Sequence, residues 1–98
     1  MPQIEIISEQ EHGKGWQFVV QVLDDRGTLH KHTLTMSWAD YNLWSPDGAD
    51  EPAMVAEAVM MFLLKHSPAA ELGEKFDASI ARRKSNHADA QIPAMIRR

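Results

Sequence analysis

Two histidines, His30 and His32, stand two positions apart in the run from Leu29 to Met36. On a strand, side chains at i and i+2 share a face, so the pair could offer two imidazoles to one metal ion. A third ligand would have to come from elsewhere, with His12 and His66 as the remaining candidates. Strand histidines packed under helices show the same spacing, each satisfied by a carbonyl or a carboxylate. Two ligands without a recognisable third favour that second reading, and metal binding through His30 and His32 is the lesser expectation.

Three more groups carry residue types suited to binding. Trp38, Tyr41 and Trp44 form an aromatic cluster that could be a ligand platform or a core with polar tips. Arg82, Arg83 and Lys84, with Arg97 and Arg98 further on, could meet phosphate or simply be solvated. Asp47, Asp50 and Glu51 are acidic, but their spacing is not that of a calcium loop, and acids at a helix start account for two of them. The chain has no cysteine, which excludes a thiol nucleophile, a disulfide and a cysteine zinc site. A glycine-rich phosphate loop, a GxSxG elbow and an HExxH pair are also missing. No catalytic residue and no cofactor are expected.

These groups hang on a hairpin. Trp16, Phe18, Val20 and Val22 alternate with Gln17, Val19, Gln21 and Leu23, the period of a half-buried strand. Asp24-Asp25-Arg26-Gly27 suits a type I turn closed by a left-handed glycine. That turn sets Val22 opposite His30, Val20 opposite His32, Phe18 opposite Leu34 and Trp16 opposite Met36. A slip by one would put Lys31, Thr33 and Thr35 beside the aromatic run. Ahead of the hairpin, Gln3 to Ile7 predicts a short strand and Glu9 to Gly15 a polar loop.

Helical signals follow. Ser37 with Asp40 predicts a capped short helix to about Trp44. Asp50-Glu51-Pro52 starts the main helix, to about His66, with Asp50 as its cap. Val55, Val59, Phe62 and His66 share one stripe, assigned to the sheet. The other side is apolar too, with Met54, Met60, Met61 and Leu64, so C-terminal helices or a second copy should cover it. Further helices are expected from Pro68 to about Lys75 and, capped by Asp77, from Ala78 to about Lys84.

The spacing of Trp16, Phe18, Val20, Val22, Asp24 and Gly27, carried on to His32, is accompanied by FLLKHSP (Phe62 to Pro68) and FDASI (Phe76 to Ile80). Over residues 16 to 80 this resembles a group of small uncharacterised prokaryotic single-domain proteins. The resemblance implies that the hairpin and both helical motifs belong to one domain of prokaryotic, cytosolic origin. It brings no catalytic or binding residue with it. After Ile80 the basic sequence to Lys84 departs from the group's aromatic continuation.

Charge and size complete the expectation. The 98 residues are 44% hydrophobic, enough for one modest core, and carry a net charge of −4. Residues 1–80 are acidic and residues 81–98 basic, which speaks against nucleic-acid binding by the body and leaves it open for the tail. Met1 to Ser8 has no basic start or long apolar run, and Ala53 to Leu64 is too short to span a bilayer, so no membrane contact and a cytoplasmic location are expected.

The expected fold is α+β: a three-stranded antiparallel meander with one face covered by a main helix and shorter C-terminal helices. Residues 1–84 would form the domain and 85–98 a basic, flexible tail. The expected function is a non-enzymatic protein-interaction or regulatory module, with Met54, Met61 and Leu64 as a homodimer or partner interface. The alternative is a nucleic-acid-associated regulator using Arg82, Arg83 and Lys84.

Overall fold

The alternation around Asp24 forms the expected hairpin. In the computed structural model, which describes residues 2–97, β2 (Gly15–Leu23) pairs antiparallel with β3 (Leu29–Ser37). The register places Val22 opposite His30, Val20 opposite His32, Phe18 opposite Leu34 and Trp16 opposite Met36, as the turn length requires. Asp24 builds that turn by accepting from the amides of Arg26 and Thr28, each at 2.9 Å, while Gly27 takes the left-handed conformation at φ +83°.

The sheet has four strands rather than three, in the order β1-β2-β3-β4. The first strand, β1 (Gln3–His12), pairs antiparallel with β2 and runs through most of the segment expected as a loop. Glu9, Gln10 and Glu11 stand opposite Phe18, Gln17 and Trp16 there. Their polarity suits an edge strand exposed to water, where alternation gives no apolar signal. A register shift between Ile6 and Ser8 interrupts the ladder, and Ile7 at that step is exposed.

The fourth strand, β4 (Lys75–Asp77), pairs parallel with β3, and it follows a segment that was expected to be helical from Pro68. Only a 3-10 turn, Ala69–Glu71, remains of that helix. Three residues are too few to show a period. What holds β4 is specific bonding: Thr33 N–H donates to the Glu74 carbonyl, and the Thr35 hydroxyl to Asp77 Oδ1, both at 2.6 Å.

Between β3 and β4 run α1 (Trp38–Trp44) and α2 (Pro52–His66). Ser37 caps α1 as expected, its hydroxyl accepting from Asp40 N–H at 3.1 Å. The cap residue of α2 is Glu51, not Asp50, whose carboxylate instead accepts from the buried Ser45 hydroxyl at 2.9 Å. Val55, Val59 and Phe62 are fully buried with Phe18, Val20, Val22 and Leu34 in one core. On the opposite face of β2, Gln17, Val19, Gln21 and Leu23 are only half-buried.

Most of the segment expected as a tail, residues 88–95, is helical. Asp77 caps a 3-10 turn, Ala78–Ile80, by accepting from Ser79 N–H at 3.0 Å, and α3 (Ala81–Lys84) continues it. After it, α4 (Ala88–Met95) packs on α2, and Ala88, Ile92 and Ile96 enter the same core. Ile92 and Ile96, with half-buried Met95, turn this segment's apolar side to the body. Among the described residues no helix is long and apolar enough to cross a membrane.

Candidate functional site

A helix apolar on two sides needs two coverings, and α2 obtains only part of the second. Its stripe of Ala56, Met60 and Leu63 is fully buried. The neighbouring stripe of Met54, Glu57, Met61 and Leu64 follows i, i+3, i+7, i+10 spacing and stays half-buried. Met61 and Leu64 line a groove of about 340 Å³ that Ile4 of β1 and Met95 of α4 also line. Glu57, Lys65 and Arg97 supply its charged groups. Arg97, 71% exposed, reaches Glu57 at 3.6 Å, a weak surface pair. Met54 lines a neighbouring depression with Ile4, Ile6 and Ala53.

The three interface candidates thus lie on one stripe. Ile4 and Met95 were missed because only the folded chain brings them to it. Glu57 and Lys65 were open to notice, standing four residues to either side of Met61.

The aromatic cluster divides in two. Trp38, 41% exposed, lies against buried Trp16, with ring centroids 4.4 Å apart, and Tyr41 packs on Trp16 at 5.0 Å. The Tyr41 hydroxyl donates to the Asp50 carbonyl. Trp44 is fully buried and donates its indole N–H to Asp89 Oδ1 at 3.0 Å. Trp38, Tyr41 and Trp44 therefore do not form one shared platform.

Trp44 instead meets Arg82, whose guanidinium lies 5.3 Å from its ring centroid. Arg82 also donates to Asp40 Oδ1 at 2.8 Å and to both Asp89 oxygens, at 3.1 and 3.2 Å. One cation so ties together α1, α3 and α4. Arg83 and Lys84 are exposed. The basic triplet is split, with its first member engaged in the fold. Arg98, the last of the basic residues, lies outside the described residues.

These bonds set an acid limit. The Arg82 guanidinium holds the Asp89 carboxyl below its ordinary value of 3.8. Burial pushes Asp77 up, but bonds from Thr35 and Ser79 outweigh it and leave that carboxyl lowered as well. At the turn, the bond with His30 lowers Asp24. Each carboxylate is more acidic folded than unfolded, so it stabilises the fold above the unfolded value. That contribution disappears as pH falls through the lower folded value. The urea midpoint should therefore drop as pH is taken from about 5 towards about 2, and Asp77→Asn with Asp89→Asn should flatten the dependence. A midpoint that holds constant over that range would contradict the assignment.

The histidines face the core side of the sheet. His30 Nε2 lies 2.8 Å from Asp24 Oδ2 and braces the turn. His32, 4% exposed, donates its Nδ1–H to the Gly73 carbonyl at 2.8 Å, and its ring meets Phe76 edge-on at 5.7 Å. That bond steers the chain into β4. Among the described residues, His32 Nε2 is buried without a hydrogen-bond partner. Among the described residues no three His, Asp or Glu side chains gather as a metal site, and His66 lies against Phe62 instead, at 4.6 Å.

No protein-family model, curated protein or solved structure matches this chain.

Proposed function

We propose that this chain is a non-enzymatic protein-interaction module that binds through the α2 groove. The observation that carries the proposal is the half-buried stripe of Met54, Met61 and Leu64, continuous with Ile4 and Met95. Flexible, polarisable methionine side chains adapt to a partner's apolar groups, and the charged residues beside them can orient it. The middle of the groove is apolar, formed by methionine, leucine and isoleucine, with Glu57, Lys65 and Arg97 as its charged positions. Arg82, held by Asp40 and Asp89, is poorly placed for phosphate, so the nucleic-acid alternative draws no added support.

Affinity purification of the tagged chain from its native host tests this, run in parallel with Met61→Glu and with Arg83→Glu/Lys84→Glu. A charge in the middle of a docking surface is expected to cost about tenfold or more in affinity. The expected result is a stoichiometric protein, another copy included, that survives nuclease, is lost with Met61→Glu and is kept by the double variant. Partners that vanish with nuclease and with the double variant would replace it with the nucleic-acid reading. Partners indifferent to Met61→Glu would remove the groove from the account.

A further inference from the structure

On α2, Glu57, Met61 and Lys65 are spaced i, i+4, i+8 and all line the groove. Successive members of that series turn by about 40° and rise by about 6 Å, forming one ridge along the helix. The ridge reads acid, apolar, base. A two-fold axis through Met61, with the helices antiparallel, sets Met61 against its own copy. The same axis sets the Glu57 position of each copy against the Lys65 position of the other. Unlike charges then face each other at both ends of an apolar centre.

Parallel helices would instead face Glu57 with Glu57 and Lys65 with Lys65. Opposite charges reward one orientation and like charges penalise the other. Lys65 is exposed and makes no ion pair among the described residues, so it is free to take this role. Glu57 is held only by the weak Arg97 pair, which another cation can share.

The β1 edge of the sheet offers no rival of equal quality. β1 carries Glu5, Glu9 and Glu11 without a Lys or Arg, and its register shift interrupts the ladder. Charge and irregularity are the features that keep edge strands from pairing with copies of themselves. The self-complementary surface is the helix.

We infer that the occupant of the groove is a second copy of this chain, docked antiparallel through Met61 with Glu57 and Lys65 exchanged between copies. This rests on the reading of the groove as a docking surface. An isologous contact of this kind closes on itself and gives a dimer, not a filament.

The absence of native cysteine makes a direct test available. Met61→Cys places one thiol per chain on the proposed axis, and Lys84→Cys places one on an exposed site away from it. Under mild oxidation Met61→Cys is expected to form the covalent dimer at least about tenfold faster than Lys84→Cys, because the dimer presents the two thiols to each other. Equal rates would overturn the inference.

Sedimentation of the charge variants gives an independent measure. Glu57→Lys and Lys65→Glu should each weaken the dimer by about tenfold, and the two together should restore it. A wild-type chain that remains monomeric at millimolar concentration, or a double variant that stays monomeric, would also overturn it. If such a monomer still loses a different partner on Met61→Glu, the groove remains a docking surface and only the second copy is wrong.

Discussion

Gly15→Ala is expected to destabilise the protein by roughly 3–5 kcal/mol, combining a strained backbone conformation with an overlap. Gly15 opens β2 opposite Ser37, at φ +154°. A Cβ there would sit 2.0 Å from the Met36 carbonyl oxygen and 2.9 Å from the Ser37 Cα. Both are backbone atoms of the paired strand, so no rotamer change gives relief. The pairing at this end must open, and it positions Trp16 and Met36 beside the start of α1. Urea titration followed by tryptophan fluorescence would measure the loss. Gly13→Ala is the control, since an added Cβ there meets nothing within 4 Å. Equal midpoints for the two variants would show that the close approach of β2 and β3 is relieved at little cost.

Ile92→Ala should cost about 2–5 kcal/mol, the range for truncating a buried aliphatic side chain. Ile92 is fully buried on α4, with Ala88 and Ile96 beside it in the core. The helix is also joined to the body through Asp89, which accepts from Trp44 and Arg82. A mobile tail would tolerate this change without effect. The measurement is the thermal midpoint by circular dichroism, set against Ala94→Ser on the exposed side of the same helix. An unchanged midpoint for Ile92→Ala would place α4 outside the cooperative unit.

Those two positions also mark what the sequence could and could not reveal. The hairpin was legible because alternation and a short turn act together: the turn length sets the register, and a slip would bury Lys31. The cap of α1 was legible for a similar reason, since Ser37 and Asp40 are three residues apart. β4 was not, because its segment is held by His32 and Thr35, whose partners Gly73 and Asp77 lie 41 and 42 positions away. α4 failed on composition: charged and small residues surround Ile92, and Pro93 stands inside the helix. Of the site, Met54, Met61 and Leu64 were visible as a second apolar side of α2. Arg82 was singled out for its charge alone, and only the fold supplies Asp40 and Asp89 to hold it.

The parallel pair of β3 and β4 governs the order in which the sheet can be assembled. Hairpin partners such as Val22 and His30 are close along the chain, but Thr35 and Asp77 are separated by 42 positions, with α1 and α2 between them. Closing so large a loop must precede any gain from its three residue pairs. β4 is then the last strand to arrive and the first to fray, and its departure would uncover His32 and the outer edge of β3. The sheet is thus guarded unequally: charge and a register shift protect one side, while the other depends on a late and lightly held strand.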